Sequence, residues 1–436
     1  IDFGSQYTQL LAKRIRDIGV YSEVVQFDDK ISLDNVKGII LSGGPDSVYE
    51  EDSPTLDANI LESKLPILGI CYGMQLIARK FGGKVETRDV GEFGKTTIKI
   101  TNKSKLFENT DKEFNVWMSH KDVVVEVPDG FKVTSKTNNG IIASFENEEE
   151  KIYALQFHPE VKHTTFGETI LKNFVIKVCD VNETWKLADF VDEKIKQIRK
   201  TVGDKKAIIA LSGGVDSSVA AILTYKAIGK NLKAIFVNHG LLRLNEAKEV
   251  ENTFKDYFGI DLTVVDAEER FLTKLKGVTD PEKKRKIIGE EFIRVFEEEA
   301  SKETDCEFLV QGTIYSDVIE SAKSGKKTAK IKSHHNVGGL PEDMNLKLIE
   351  PLRELFKDEV RSVGEILGLP REILYRHPFP GPGLAIRIIG EVTKDKLEIL
   401  RKADDIFIKT LKETGWYEKV WQAFAVLTPI RTVGVT

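Results

Sequence analysis

An apolar run, Ala207-Ile208-Ile209-Ala210-Leu211, passes directly into Ser212-Gly213-Gly214-Val215-Asp216-Ser217-Ser218 and then into the helix-like stretch 219–227. Buried strand, Gly-rich turn and helix start in succession leave few folds open. Such a unit belongs to a βαβ layer, with its turn at the carboxyl edge of a parallel sheet. The turn is a cradle for an anion, because amide N–H groups converge there and the positive end of the helix dipole faces the ligand. It is not the phosphate loop that ends in Gly-Lys-Ser/Thr, whose lysine lies on the outer phosphates. Asp216 stands in the cradle instead, and a carboxylate beside phosphates calls for a cation between them, most simply Mg²⁺. The plain alternative is a turn that caps a helix, since Ser and Asp are good N-caps. The complete run between strand and helix favours the cradle.

The same alternation organises most of the 436 residues, a length that predicts two or three domains. Helical spacing over 6–18 and apolar strands at 24–27, 38–41 and 66–70 predict a parallel sheet with helices on both faces. Over 84–155 the pattern becomes closely spaced short strands, a β-rich edge that a helix at 166–178 closes. A second amphipathic helix, 182–201, leads into strands at 207–211, 233–238, 262–265 and 308–311, a second doubly wound sheet. The polar run 321–333 reads as a mobile loop. The run Pro378-Phe379-Pro380-Gly381-Pro382-Gly383 opens a third region with a strand, helix, strand pattern whose helix is 394–413. The expected class is α/β: domains at 1–180 and 181–377, each a doubly wound parallel sheet, and a small α+β domain at 378–436. The chain opens at Ile1 inside a strand-like pattern and closes on an apolar run, so both ends are expected to be incomplete and the third domain truncated.

With 41% hydrophobic and 31% charged residues and a net charge of −5, the chain reads as a soluble globular protein with no basic face for nucleic acid or membrane. No apolar stretch approaches the roughly 18 residues of a membrane span. Cys71, Cys179 and Cys306 lie far apart without CxxC spacing. That fits a reducing cytoplasm and neither a disulfide framework nor a zinc site.

Gly69-Ile70-Cys71-Tyr72-Gly73 joins the strand 66–70 to a helix over 74–81. A Gly-x-nucleophile-x-Gly corner is too tight for side chains at its glycines, and it lifts the nucleophile clear of the sheet. The helix N-terminus then favours the thiolate and supplies N–H groups to a nearby oxyanion, here from Tyr72. A lone cysteine is otherwise most often a buried structural residue; the corner argues for catalysis. A nucleophile also needs a base and an orienting group. Gln156-Phe157-His158-Pro159-Glu160 offers both at one strand end, with His158 to take the thiol proton and Glu160 to fix its tautomer. Ser42-Gly43-Gly44-Pro45 offers a second oxyanion donor at Gly44, though alone it would be an ordinary turn.

GICYG, QFHPE and LSGGP, in this order and at comparable strand ends, resemble a class I (triad) glutamine amidotransferase, and the run at 212–218 resembles the ATP-pyrophosphatase (PP-loop) signature. The whole is similar to the ligase family that joins these two modules. The similarity extends through DFGSQYTQL, WMSHKD (117–122), GTIYSDVIES (312–321), IKSHHNVGGLP (331–341) and RHPFPGPGL (376–384). The resemblance implies a flavodoxin-like amidotransferase, an adenine-nucleotide α-hydrolase-like second domain and a C-terminal dimerisation domain, so a homodimer. It implies that glutamine is hydrolysed through a Cys71 thioester. XMP then attacks the α-phosphorus of ATP, and ammonia displaces AMP from adenyl-XMP to give GMP. By family pattern Gln75, Trp117 and Asp122 handle glutamine, residues 212–218 with Gly312 hold ATP and pyrophosphate, and Asp216 holds Mg²⁺. Asp317 and Glu320 serve adenylation or form a solvated face. Lys332, His334 and His335 ride on the loop as a lid rather than a metal site, since neighbouring histidines do not easily share one metal. Arg285 and Gln422 would contact XMP. Arg285 lies in a basic helical run that could equally be solvated, and Trp421 replaces the usual serine before Gln422. His120, His163, His239 and His377 read as structural. Among rivals, NAD and asparagine synthetases take ammonia from other glutaminase types, and a tRNA-thiolating enzyme would want a basic face and a sulfur-carrying cysteine in the second domain. A non-catalytic nucleotide or glutamine sensor would not need both nucleophile sets.

Overall fold

The computed structural model describes residues 1–50, 52–303, 305–323 and 346–430. The chain divides into two compact units, Ile1–Lys186 and Leu187–Thr436.

The first unit runs α1 (Thr8–Asp17), β1 (Ile39–Leu41), α2 (Ala58–Glu62), β2 (Ile67–Ile70), α3 (Tyr72–Lys80), β3 (Lys84–Ile100), β4 (Glu113–Glu126), β5 (Lys132–Thr137), β6 (Ile142–Asn147), β7 (Ile152–Leu155) and α4 (Gly167–Lys172), which continues as a π-helical segment over Asn173–Val178. Its seven-stranded sheet has the order β1-β2-β7-β6-β5-β3-β4. Only β1, β2 and β7 are parallel; the rest pair antiparallel. The sheet is therefore mixed, with a meander added to a short parallel core. Side chains alternate across it with the period of a strand. Ile67, Ile152 and Ala154 pack with Leu41 and Met74 on one face, while Leu68, Tyr153 and Leu155 pack with Leu11, Ile15 and Phe174 on the other.

Three sequence expectations change here. Residues 24–27 form no named strand; they join the sheet by the single bridge Asp2↔Gln26. The Asp29 carboxylate accepts from the Gln26 amide at 2.9 Å and turns the chain at once. Over 84–155 the expected short strands include a hairpin of 17- and 14-residue strands, β3 and β4. β3 runs through Gly91 and Gly94, with its register shifting between Thr87 and Glu92. Among its described residues the third region likewise forms no named strand.

The second unit runs α5 (Leu187–Val202), β8 (Lys206–Leu211), α6 (Val215–Ile228), β9 (Leu232–Asn238), α7 (Glu246–Glu251), β10 (Asp261–Asp266), α8 (Glu268–Leu275), α9 (Pro281–Ala300), β11 (Cys306–Val310), α10 (Tyr315–Lys323), β12 (Lys347–Ile349), α11 (Lys357–Leu367), α12 (Arg371–Leu374) and α13 (Lys394–Glu413). All five strands are parallel, in the order β10-β9-β8-β11-β12. Two crossovers wind outward from β8 in one direction and two in the other. The order therefore reverses between β8 and β11, and ligands of such sheets bind at that switch point, beyond the carboxyl ends of the strands. Beyond β12, among the described residues, pairing is limited to the bridge Ile388↔Leu427. The apolar run before it winds into a 3₁₀ turn, Gly383–Arg387. Leu384, Ile388, Leu397 and Leu400 share one core with Ile208, Phe271 and Phe296. Side chains cap two helix starts: Asp280 accepts from Lys283 N at 2.8 Å ahead of Pro281, and Thr393 caps α13.

Candidate functional site

In the first unit the carboxyl ends of the three parallel strands deliver the predicted groups side by side. β1 leads to Ser42–Gly44, β2 to Cys71 and β7 to His158. Cys71 is non-glycine yet sits at φ 51°, ψ −105°. That left-handed backbone is costly for a side chain. Close packing holds it there: the Cys71 amide donates to Leu155 O at 2.7 Å, and Gly73 N donates to Ser42 O at 3.1 Å. A Cβ at Gly73 would lie 2.5 Å from Leu41 O, and one at Gly69 2.6 Å from Gly73 O, so both corners require glycine.

The thiol is buried, and its Sγ lies 3.6 Å from Ser119 O and 3.7 Å from Gln156 Nε2. His158 Nδ1 meets Glu160 Oε1 at 2.8 Å, both side chains being buried. Burial pushes the His158 imidazole down, but hydrogen bonds to Cys71 and Glu160 outweigh it and hold the ring up to about 10. The strand end is itself anchored: His158 N donates to Trp117 O at 3.0 Å, and Thr164 Oγ1 donates to His158 O at 2.6 Å. The ring of Tyr7 stands edge-on to His158 at 5.0 Å. Gly43 fits between the partners, since a Cβ there would lie 3.2 Å from His158 Cε1 and 3.6 Å from Cys71 Cβ. Among the described residues the amides of Gly44 and Tyr72 donate to no acceptor, which leaves both available to an oxyanion.

Of the three residues expected to handle glutamine, two meet directly, Gln75 and Asp122. Gln75 Nε2 donates to Asp122 O at 2.9 Å. The Asp122 carboxylate accepts from Ser47 Oγ and from Thr87 Oγ1, each at 2.6 Å. Trp117 stacks at 4.5 Å on His163. A separate cavity of about 540 Å³, lined by Leu11, Ile15, Val20, Phe174 and Cys179, touches none of Cys71, His158 and Glu160.

In the second unit the run 212–218 follows β8 and opens α6, at the switch point. Its hydroxyls build the turn: Ser212 Oγ accepts from Gly214 N at 3.2 Å, and Ser217 and Ser218 donate to Gly214 O at 3.1 and 2.7 Å. Gly213 has φ +71°, and Gly312, just beyond β11, lets the backbone come close, since a Cβ there would lie 3.0 Å from Ser217 N. Both oxygens of Asp216 take Lys357 Nζ at 2.8 Å. Arg376 donates to Gly213 O and pairs with buried Glu246 at 2.7 Å. Neither Lys357 nor Arg376 was singled out in the sequence. Lysine at a helix start reads as surface, and Arg376 reaches its partners across more than a hundred residues of chain.

The remaining candidates fall into place less tightly. Asp317 caps its own helix start, accepting from Ile314 N at 3.0 Å, and Glu320 is exposed one turn further on α10. Arg285 lies partly exposed on α9, paired with Glu282 at 2.8 Å. Gln422 is exposed, with Nε2 donating to Pro378 O at 3.0 Å beside an 81% exposed Trp421. Lys332, His334 and His335 lie outside the described residues. His239 accepts from Leu241 N, and burial pushes it down to about 4. His377 accepts from Ala423 N and stacks on Tyr417 at 3.8 Å. Both fit structural roles. Glu303, Asp305 and Cys306 gather at the start of β11, the end away from the PP-loop, and Asp305 is tied to Lys206.

Residues 1–178 match the family Glutamine amidotransferase class-I, and residues 184–291 match the family NAD synthase. The second match ends inside α9. Likeness over the full chain comes from proteins named GMP synthase (glutamine-hydrolyzing). That of Petrotoga mobilis is 74% identical over 436 residues, 100% of this chain and 86% of the relative. That of Thermotoga maritima is 61% identical over 435 residues, with the same shares covered. That of Aquifex aeolicus is 59% identical over 438 residues, again covering 100% of this chain and 86% of the relative.

Proposed function

The chain belongs to the GMP synthase (glutamine-hydrolyzing) family, and we propose that its two units divide the family's chemistry residue by residue as follows. The reaction is the amination of XMP to GMP with glutamine as nitrogen donor, ATP being cleaved to AMP and pyrophosphate through adenyl-XMP. Residues 1–180 carry the amidotransferase, 181–377 the ATP pyrophosphatase and 378–436 part of a dimerisation and XMP-binding domain.

At the first site the Cys71 thiolate attacks the glutamine carboxamide carbon. The amides of Gly44 and Tyr72 receive the oxyanion, and both are uncommitted among the described residues. Protonated His158, held by Glu160 at 2.8 Å, gives its proton to the leaving nitrogen. Ammonia departs and a thioester remains. His158 then takes a proton from the water that cleaves the thioester to glutamate. Gln75, Trp117 and Asp122 hold the α-amino acid end, with Asp122 presenting a carboxylate to the substrate ammonium.

At the second site residues 212–218 and Gly312 hold the outer phosphates of ATP while the XMP oxygen attacks the α-phosphorus and pyrophosphate leaves. Mg²⁺, when bound with ATP, supplies charge neutralisation between phosphates. Asp216 fits it as a ligand, since Mg²⁺ is usually held by one or two carboxylates plus substrate oxygens. Lys357, now on both Asp216 oxygens, would have to yield at least one of them. Asp317, Glu320, Lys332, His334 and His335 serve adenylation, and Arg285 and Gln422 serve XMP. Exposed Ile399, Ile406 and Trp421 on and after α13 support a homodimer through this region. No helix among the described residues is long and apolar enough to cross a membrane. We place the enzyme in the cytoplasm, without a nucleic-acid partner.

The observation that carries this reading is the strained Cys71 corner backed by His158 and Glu160, in one chain with a PP-loop at a switch point. Purified protein given glutamine, ATP and Mg²⁺ should release AMP only when XMP is added. AMP release with nicotinate adenine dinucleotide or aspartate, and none with XMP, would refute it.

A further inference from the structure

The Asp122 carboxylate is held at both oxygens. Ser47 Oγ donates to Oδ2 and Thr87 Oγ1 to Oδ1, each at 2.6 Å. Thr87 is the register partner of Asp122 across β3 and β4, the last pair before the register shifts. Ser47 comes from the loop after β1, and its Oγ also accepts weakly from Tyr49 N at 3.5 Å. Gln75 from α3 takes the Asp122 carbonyl at 2.9 Å. Three separate segments thus converge on one largely buried acid. Each carboxylate oxygen has two acceptor positions, so one hydroxyl apiece fixes the plane of the group and leaves acceptor capacity on both for a ligand.

We propose that Ser47 and Thr87 are positioning residues that aim the Asp122 carboxylate at the α-ammonium of glutamine, and so set selectivity for a substrate carrying that charge. The inference rests on the reading of Asp122 as a glutamine contact. A hydroxyl donor at each oxygen sets the direction of the free lone pairs, and a charge-assisted hydrogen bond weakens when that direction is lost.

The test measures glutamate release from glutamine, and the parallel hydrolysis of 4-carbamoylbutanoate, which keeps the carboxamide and lacks the amino group. Ser47→Ala and Thr87→Val should each raise KM for glutamine about tenfold, the scale of one lost hydrogen bond to a charged group. kcat should change little, and the kcat/KM ratio of glutamine to analogue should fall by the same factor. Thr87→Ser restores the hydroxyl and should restore the ratio, while thermal midpoints confirm that each variant folds. An unchanged ratio in both hydroxyl-deleted variants, or an equal loss on both substrates, overturns the proposal. Asp122→Asn is the control on the reading beneath it. If Asp122→Asn leaves the ratio intact, Asp122 itself is not the ammonium contact; if it collapses the ratio while Ser47→Ala and Thr87→Val do not, only the positioning role fails.

Discussion

Glu160 decides how firmly His158 keeps its proton. Burial alone would favour a neutral ring, yet His158 is held from the usual 6.5 up to about 10 by Cys71 and Glu160. A group whose pKa is raised on folding stabilises the fold fully below its unfolded value, and that contribution fades as pH climbs through the folded one. The window here is therefore pH 6.5 to about 10. Glu160→Gln keeps the shape and removes the charge. The His158 titration followed by NMR should then move to lower pH, and the loss of stability across that window should shrink. Glutaminase kcat should fall by about 10² to 10⁴-fold, the range seen when the partner of a catalytic histidine is removed. An unmoved titration midpoint would mean that Glu160 is a bystander. Cys71, His158 and Glu160 were legible as candidates because they sit in two short motifs whose glycines and strand ends announce them. Ser47 and Thr87 were not legible, because a serine in a loop and a threonine in a strand look the same whether or not a carboxylate lies 2.6 Å away.

The corner between β2 and α3 works as one element, and glycine is its hinge pin. A methyl at Gly73 would meet Leu41 O at 2.5 Å and Leu41 Cβ at 2.7 Å, both in the sheet core. Gly73→Ala should cost about 1–3 kcal/mol in urea unfolding, the price of overpacking, and should lower glutaminase kcat by shifting the thiol. Gly82→Ala, at φ +92° with open space around it, bears only the strain of its backbone, about 1 kcal/mol, and should leave kcat unchanged. Equal loss of activity in both would show that the corner is not selectively strained. Periodicity found the helices and the parallel strands on either side of such corners well. It misjudged β3, which runs on through a register shift between Thr87 and Glu92, where a Cβ added at Gly91 would lie 2.5 Å from His120 O. It also misjudged residues 384–389, whose apolar composition reads as strand, while burial of Leu384 and Ala385 in the second unit's core winds them into a 3₁₀ turn. Composition reports that a segment is buried; the neighbours that bury it choose its shape.

Across the whole molecule, each unit closes its own core. Leu68, Leu155 and Phe174 pack in the first unit, and Ile208, Phe271 and Phe296 in the second. The second site is assembled from distant chain: Lys357 reaches Asp216 across 141 positions, and Arg376 reaches Gly213 across 163. Such pairs have no local signature, which is why the run 212–218 suggested a cradle from sequence while Lys357 on its acid did not show there. Independent cores also mean that the two chemistries are separable. Cys71→Ala removes a thiol whose contacts are Ser119 O, Gln156 and His158, and none of these lies in the second unit. Glutamine-dependent GMP formation should drop by at least about 10³-fold, since no other nucleophile stands at the corner. Synthesis from added ammonium salt should persist, and should rise with pH as more of the ammonium becomes free ammonia. Both rates can be followed in one assay by the absorbance change from XMP to GMP. Loss of the ammonia-dependent rate together with the glutamine-dependent one would show that Cys71 serves the second site as well, and would end the division of labour between the two units.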